Sequence, residues 1–306
     1  MNPLGKAAWW AKGRLCLALK KRGFFKPDYT KADQSKDRVA PFDEYPACDF
    51  CGAEESTERL VTGDGGRIAA CDGCGLWFTT PRIAEDVWED YLLAETPRSV
   101  EFTENRLKYG VALSSNIKFS LPGWKEKWLR SFGALLDDLE RVHGGPLERL
   151  HDVGAGVGLF MEAARKRGIR VSGNELNGYA VRAMRERLGL DVSGAPLPRM
   201  DIEPRSLDAV TMCDYLEHSY HPYRDLLAAH RALRPGGVLY VNTFHTGCRA
   251  FEELGANWNF LYWNHTHHFD RDILTRMVQA AGFAPVETRC EHGNPLISLF
   301  AVREAD

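Results

Sequence analysis

No run of apolar residues in this chain approaches the roughly 20 that a membrane-spanning helix needs; charged residues interrupt every apolar stretch well before that length. Strong net charge is missing too. The 39 Lys and Arg and 42 Asp and Glu leave a formal net charge of −3, which disfavours a chain built mainly to grip nucleic acid. Lys12 and Arg14 break the only apolar segment near the N-terminus, so no secretory signal peptide is expected. A disulfide framework is also absent from the pattern. Of the 8 cysteines, four form two close pairs, and Cys213, Cys248 and Cys290 fall in strands or turns of an α/β pattern. That distribution suits a reducing, cytoplasmic setting with a metal site.

What is present is enough for one large domain and a small one: 306 residues with 44% hydrophobic content. Four segments suggest themselves: a basic arm and linker over 1–45, a cysteine-rich unit over 46–82, a helical cover over 83–144, and an α/β domain over 145–306. Within residues 1–31, Lys6, Lys12, Arg14, Lys20, Lys21, Arg22, Lys26 and Lys31 face a single acid, Asp28. With Trp9, Trp10, Phe24 and Phe25 interleaved, this arm reads as a peripheral membrane or partner contact, or as a helix packed on its own protein or a poorly ordered tail.

Cys48-Asp49-Phe50-Cys51-Gly52 and Cys71-Asp72-Gly73-Cys74-Gly75 give the spacing C-x2-C-x19-C-x2-C. Each pair is a tight turn pointing two thiolates at one centre. Four thiolates satisfy tetrahedral zinc and leave no open coordination position, so Cys48, Cys51, Cys71 and Cys74 read as a structural zinc site, with iron–sulfur ligation or redox thiols as alternatives. Arg59-Leu60-Val61 and Arg67-Ile68-Ala69-Ala70 between them read as a hairpin, making a zinc ribbon. Asp49, Glu54, Glu55, Glu58, Asp64 and Asp72 outnumber Arg59 and Arg67. A phosphate backbone needs cations, so the ribbon reads as a scaffold or substrate-side lid.

From 148 onward strands and helices alternate, which implies a parallel sheet covered by helices on both faces. Strands are expected at 149–153, 169–174, 190–193, 207–213 and 236–243, with helices at 157–167, 178–188, 222–233 and 271–281. A terminal hairpin is expected over 285–291 and 296–302. The fold class is therefore α/β, a Rossmann-like doubly wound sheet with a C-terminal antiparallel hairpin. Its first strand runs into Asp152-Val153-Gly154-Ala155-Gly156-Val157-Gly158, a glycine turn that brings backbone N–H groups close to a ligand at a helix N-terminus. Glu175 closes the next strand, placed to accept from a ribose diol.

These motifs, with Leu207-Asp208-Ala209-Val210-Thr211-Met212-Cys213-Asp214-Tyr215-Leu216-Glu217-His218 and Leu233-Arg234-Pro235-Gly236-Gly237, follow in the order and spacing of class I S-adenosylmethionine (SAM) methyltransferases. Over residues 145–302 the chain most resembles the ubiquinone-methyltransferase-like branch, methyltransferase type 23. The resemblance implies SAM contacts from Asp152, Gly154, Ala155, Gly156, Gly158, Glu175, Leu176, Ala195, Cys213 and Asp214. The acid that usually follows the third strand is replaced around Ser193-Gly194-Ala195-Pro196-Leu197, so adenine contacts there fall to backbone. Helices expected at 84–93, 101–119 and 124–142 would cover the cofactor, with Arg98, Arg106 and Tyr109 as candidates for its carboxylate. The tail Gly75-Leu76-Trp77-Phe78-Thr79-Thr80-Pro81-Arg82 resembles ribbons preceding methyltransferases of surface-polysaccharide and natural-product clusters.

Methyl transfer needs an aligned nucleophile, exclusion of water and often a base. The stretch from Asn257 to Phe269 holds His265, His267 and His268 among aromatics. It reads as an acceptor pocket with one basic histidine, as packing with Asp270 capping the next helix, or as a second metal site. His265 and His267, then His218 and His245, are the base candidates. Tyr262 and His265-Thr266-His267 are similar to a Tyr/His-Glu-His segment of sugar C-methyltransferases, with Thr266 in place of the acid. The resulting expectation is SAM-dependent methyl transfer to a small-molecule or sugar acceptor, most simply at oxygen. A sugar C-methyltransferase, an RNA methyltransferase docking through its ribbon, and a catalytically idle SAM-fold subunit are the alternatives.

Overall fold

The computed structural model describes residues 41–62, 65–95, 97–109, 124–258, 260–261 and 263–304. The basic arm of residues 1–31, residues 110–119 of the expected cover helix and Tyr262 lie outside the described residues. No described helix is long and apolar enough to cross a membrane.

In chain order, β1 (Ser56–Val61), β2 (Arg67–Cys71) and β3 (Trp77–Thr79) make an antiparallel ribbon sheet. Three helices follow: α1 (Glu85–Leu93), α2 (Pro97–Tyr109) and α3 (Trp124–His143). The alternating region then gives β4 (Arg149–Val153), α4 (Leu159–Lys166), β5 (Arg170–Asn174), α5 (Gly178–Leu188), β6 (Asp191–Ser193), β7 (Leu207–Cys213), α6 (Pro222–Ala232) and β8 (Leu233–Phe244). It closes with α7 (Arg249–Leu254), β9 (His267–His268), α8 (Arg271–Ala280), β10 (Phe283–Cys290) and β11 (Leu296–Arg303). The main sheet runs β10-β11-β8-β7-β4-β5-β6. Its β6-β5-β4-β7-β8 portion is parallel, and β10 and β11 add the expected antiparallel hairpin at the β8 edge.

Each element has a local cause. Strand β7 is buried along nearly its whole length, as a strand covered on both faces must be. Helix α4 turns Leu159, Phe160, Met161 and Ala164 inward. Helix α5 begins where the Asn177 side chain accepts from the Ala180 N–H at 3.0 Å, and stops at left-handed Gly189. Helix α8 opens on Asp270, which accepts from the Ile273 N–H at 2.8 Å. Element ends fall within a few residues of expectation. Strand β8 begins three residues early, at Leu233, and α2 starts at Pro97.

The ribbon is joined to the α/β body by a shared sheet. Strand β9 pairs antiparallel with β3, Trp77 opposite His268 and Phe78 opposite His267, in the order β1-β2-β3-β9. The Thr79 N–H donates to Thr266 O at 2.9 Å and its hydroxyl to His265 O at 2.9 Å. The two cysteine turns are fastened as well. Asp49 accepts from the Tyr223 N–H in the first turn of α6 at 2.7 Å, and Arg276 of α8 donates to Cys74 O at 2.7 Å. Cys48 and Cys71 belong to the same buried cluster as Met212, Leu226 and Phe269. Residues 265–268 are therefore fixed to the ribbon.

His221 ties three parts together. Its Nδ1 lies 3.0 Å from Asp49 and its Nε2 2.9 Å from Glu85 on α1. The two carboxylates hold it protonated, raising its pKa to about 9. Because the folded value is raised, the stabilisation is complete below the unfolded value near 6.5 and is lost as pH rises through about 9. His221→Ala is expected to cost about 1–2 kcal/mol at pH 7. In thermal unfolding the gap between variant and wild type should narrow by pH 10; a gap that widened with pH would refute the clamp.

Candidate cofactor and acceptor site

The sheet reverses direction of strand order at β4, between β5 and β7, and ligands of open α/β sheets bind past the carboxyl ends at that point. The glycine turn sits there. Gly156 has φ 61° and its N–H donates to Glu175 Oε2 at 2.8 Å. A Cβ on Gly156 would come within 3.4 Å of the Arg106 guanidinium. Gly158, at φ 77°, has no room for a side chain either: its Cβ would lie 2.5 Å from Leu190. Gly154 and Ala155 complete the turn, with the Tyr215 ring packed against Gly154.

Glu175 closes β5 and folds onto this turn. Its other oxygen accepts from the Asn177 N–H at 2.9 Å, and its own N–H reaches Ser193 O at 3.0 Å. Burial raises its pKa, while N–H donors from Asn177 and Gly156 and the charge of Arg106 oppose the rise. Leu176 and Ala195 flank it, both half-buried. The Ala195 N–H turns to Ser193 Oγ at 3.1 Å. Asp152 lies beneath the turn rather than at its mouth: it is 4% exposed, accepts from Thr211 at 2.7 Å, and burial raises its pKa to about 7.

Arg106 reaches the turn from α2, which Glu104 fastens to α5 through the Tyr179 hydroxyl at 2.6 Å and Arg187 at 2.7 Å. The side chains of Arg98 and Tyr109 are outside the described set. Asp214 is exposed at the end of β7 in a left-handed conformation, φ 50°, unusual for a non-glycine residue. Cys213 packs against the cluster of Leu150, Phe160 and Tyr240, so its side chain serves the core.

The four histidines named as bases separate into two pairs. His218 and His265 meet, rings perpendicular at 4.5 Å, with His218 Nδ1 donating to Asn264 O at 3.0 Å. His267 donates to Ser219 O at 2.9 Å and packs near Phe78 and Phe269. His245 Nε2 donates to Asn294 O at 2.9 Å. The last two are 2% and 1% exposed and are held in structural bonds. Sequence spacing treats all four alike; only the pairing of β3 with β9 turns His267 away. Burial lowers His218 to about 4 and His267 to about 3, and pushes His265 well down, so all three are neutral.

The residue that sequence reasoning passed over is Glu217. It is 1% exposed and accepts from Thr243 Oγ1 at 2.7 Å through Oε2, while Oε1 has no partner. Ligand atoms of Glu217, His218 and His265 lie within 4.8 Å of one another, a set able to hold an ion; the expected trio of His265, His267 and His268 does not converge in this way. Its position one residue before His218 was the available signal. The loop aromatics pack mainly on neighbours, Phe260 stacked on Phe244 at 3.9 Å and Trp263 edge-on to Trp88 at 5.2 Å.

The four ribbon cysteines converge, their sulfurs within 4.8 Å of one another, with Cys48–Cys74 and Cys51–Cys71 both at 3.5 Å. Zinc–sulfur bonds of 2.3 Å in a tetrahedron imply sulfurs about 3.8 Å apart, so the set fits such an ion.

Fold and glycine turn together define a Rossmann-like protein of the nucleotide-cofactor type. The chain belongs to the methyltransferase-domain family: residues 125–288, just over half of its length, match that family's domain. It is a class I SAM-dependent methyltransferase. The ubiquinone biosynthesis O-methyltransferase of Ralstonia nicotianae is 28% identical over 169 residues, covering 51% of this chain and 71% of that protein. Its counterpart from Idiomarina loihiensis is 30% identical over 173 residues, covering 52% and 70%. Among solved structures the [4+2]-cyclase SpnF matches with TM-score 0.51 at 17% identity, covering 68% of this chain and 93% of that one, a likeness of fold alone.

The turn suits SAM on its own chemistry: Gly156 carries no side chain, a carboxylate stands one strand away, and a guanidinium faces both. Glu175→Gln and Arg106→Ala are each expected to weaken SAM binding roughly 10- to 100-fold, measured by isothermal titration. Affinity within twofold of wild type in both would place the cofactor elsewhere.

Proposed function

We propose that the chain methylates a hydroxyl oxygen of a small-molecule or sugar acceptor, with SAM across the ends of β4 and β5 and the acceptor under residues 257–269. The observation that carries this reading is the reach of Arg106. Its guanidinium lies at the glycine turn, and its charge acts on both Glu175 and His218, which supports a cofactor and an acceptor bound side by side. The names of the two O-methyltransferase relatives support oxygen as the acceptor atom.

When bound, SAM supplies an electrophilic methyl group on a sulfonium sulfur. Glu175 accepts from the ribose hydroxyls with the lone pairs that Gly156 and Asn177 leave it, and Arg106 meets the methionine carboxylate. Leu176 and the backbone at Ala195 frame the adenine. Gly154 and Gly158 keep the turn close to its ligand, and Asp214 borders the acceptor. His218 and His265 orient the acceptor hydroxyl as neutral hydrogen-bonding groups, and the packed aromatics exclude water. Cys48, Cys51, Cys71 and Cys74 hold zinc in a closed, structural site.

A screen of phenols and nucleotide-sugars with methyl-labelled SAM tests the reading. Label in an O–CH3 group is the expected result; label on carbon would transfer the chain to the sugar C-methyltransferase class. Metal analysis should find about one zinc per chain, lost in Cys71→Ser. Because β3 carries β9, that variant should raise the acceptor KM at least tenfold while SAM affinity changes little. Equal loss of both would mean that the ribbon holds the whole fold rather than the acceptor side.

A further inference from the structure

Tyr215 stands where the cofactor turn meets the turn that carries His218. Strand β7 ends at Cys213, whose side chain goes to the core. Asp214 then takes its left-handed conformation, with its N–H donating to Asn242 O at 2.8 Å, and the chain comes back over the end of β4. That reversal lays the Tyr215 ring on Gly154: a Cβ at Gly154 would lie 2.7 Å from the ring. Only a residue without a side chain seats the ring so close to the turn. Beyond it, the Tyr215 carbonyl accepts from the His218 N–H at 2.9 Å. One residue therefore borders both the cofactor cradle and His218.

The ring is held in place at its far end. Its hydroxyl donates to Asp225 Oδ2 on α6 at 2.8 Å, and Ser219 Oγ donates to the same oxygen at 2.5 Å. Asp225 is buried, so water does not compete for this tether. Burial and the charge of Asp225 push the Tyr215 phenol well up, which keeps it a neutral donor. The charge of Glu175 also reaches it. Glu175, Gly154 and Tyr215 thus follow one another across the ends of β5, β4 and β7. Asp152 and Glu217 are sealed from solvent, whereas Tyr215 is only half-buried and keeps surface that a ligand can touch.

With the ribose at Glu175 and the acceptor beside His218, the sulfonium has to lie between them, because the methyl group it carries must reach the acceptor. Tyr215 occupies that interval. A ligand cation against an aromatic ring is stabilised by the negative charge on the ring face, more strongly where water is excluded. We propose that the Tyr215 ring meets the sulfonium of bound SAM and stabilises its charge, while the tether to Asp225 fixes the ring so that the methyl group points toward the acceptor. The inference rests on the placement of cofactor and acceptor proposed above and names the side chain between them. It carries a consequence for turnover: once the methyl group has left, the sulfur is a neutral thioether, the attraction is lost, and the product is held less tightly than SAM.

Tyr215→Leu removes the ring, and Tyr215→Phe keeps it without the tether. Isothermal titration compares SAM with S-adenosylhomocysteine, which lacks only the methyl group and the charge on sulfur. Tyr215→Leu is expected to weaken SAM about 5- to 30-fold and the thioether less than twofold, whereas Tyr215→Phe should keep SAM within threefold of wild type. Equal loss of both ligands in Tyr215→Leu would reduce the ring to a support for the glycine turn, and unchanged SAM affinity would remove it from the site; either result overturns the proposal. A second measurement does not depend on the leucine variant folding. In protein deuterated except at its tyrosine rings, the isotope-labelled methyl group of bound SAM should give a nuclear Overhauser contact to one tyrosine ring, absent in Tyr215→Phe. No such contact in wild type, or one that persists in Tyr215→Phe, also overturns it. None of these measurements needs an acceptor, so they hold their meaning if the acceptor atom is not oxygen. Wild type that bound no SAM would remove the cofactor reading and this inference together; SAM binding without the ring's signature would remove the inference alone.

Discussion

The short antiparallel seam between β3 and β9 is the contact on which the acceptor side depends. Two residue pairs, Trp77–His268 and Phe78–His267, with the bonds of Thr79 to the backbone of His265 and Thr266, make the end of this loop the outer strand of another sheet. A long loop on its own would carry backbone groups that only water could satisfy. Paired to the ribbon, it can be buried, and burial is what neutralises its histidines. The ribbon is therefore continuous with the segment that carries His265, His267 and His268. The acids that made nucleic-acid docking unattractive have a positive role here, since Asp49 caps the N-terminus of α6.

A second constraint is electrostatic. Asp152, Glu175 and Glu217 stand at or near the ends of β4, β5 and β7, all buried enough for their pKa values to rise. Asp152 and Glu175 sense each other's charge, and neighbouring carboxyls favour a cationic occupant; SAM carries both a sulfonium and an ammonium. The site is thus unfavourable when empty and complementary when filled, the usual relation between stability and activity at a binding site.

Much of this was legible beforehand because the signals are local. The glycine turn, Glu175 one strand along, the alternation of strands and helices and the terminal hairpin all follow from periodicity and from backbone conformations that glycine alone adopts easily. The paired cysteines converge because each Cys-x-x-Cys turn is a self-contained geometry. Asp270 was readable as a cap from its place before an amphipathic run. The histidines were less tractable. Their spacing contains nothing to separate His267, bound to Ser219 O, from His265, set against His218. Cys213 looked like a cofactor contact from its position at a strand end, yet strand alternation turns its side chain to the core. Glu217 was hidden within the motif that contains it, because a carboxylate next to a histidine has no distinguishing period.

The amino-acid order by itself determined the fold class, the cofactor cradle and the cysteine quartet, since each rests on interactions between residues near in sequence or on a repeated two- and 3.6-residue period. Only the tertiary structure decided which histidines are structural, that Arg106 overhangs the glycine turn, and that Glu217 lies buried with one oxygen unanswered. Those facts depend on contacts between residues from 26 to 186 apart in the chain, between ribbon and loop, cover helix and sheet, or strand and turn. Burial, which sets the charge of each group, is a property of the assembled packing rather than of any stretch of chain.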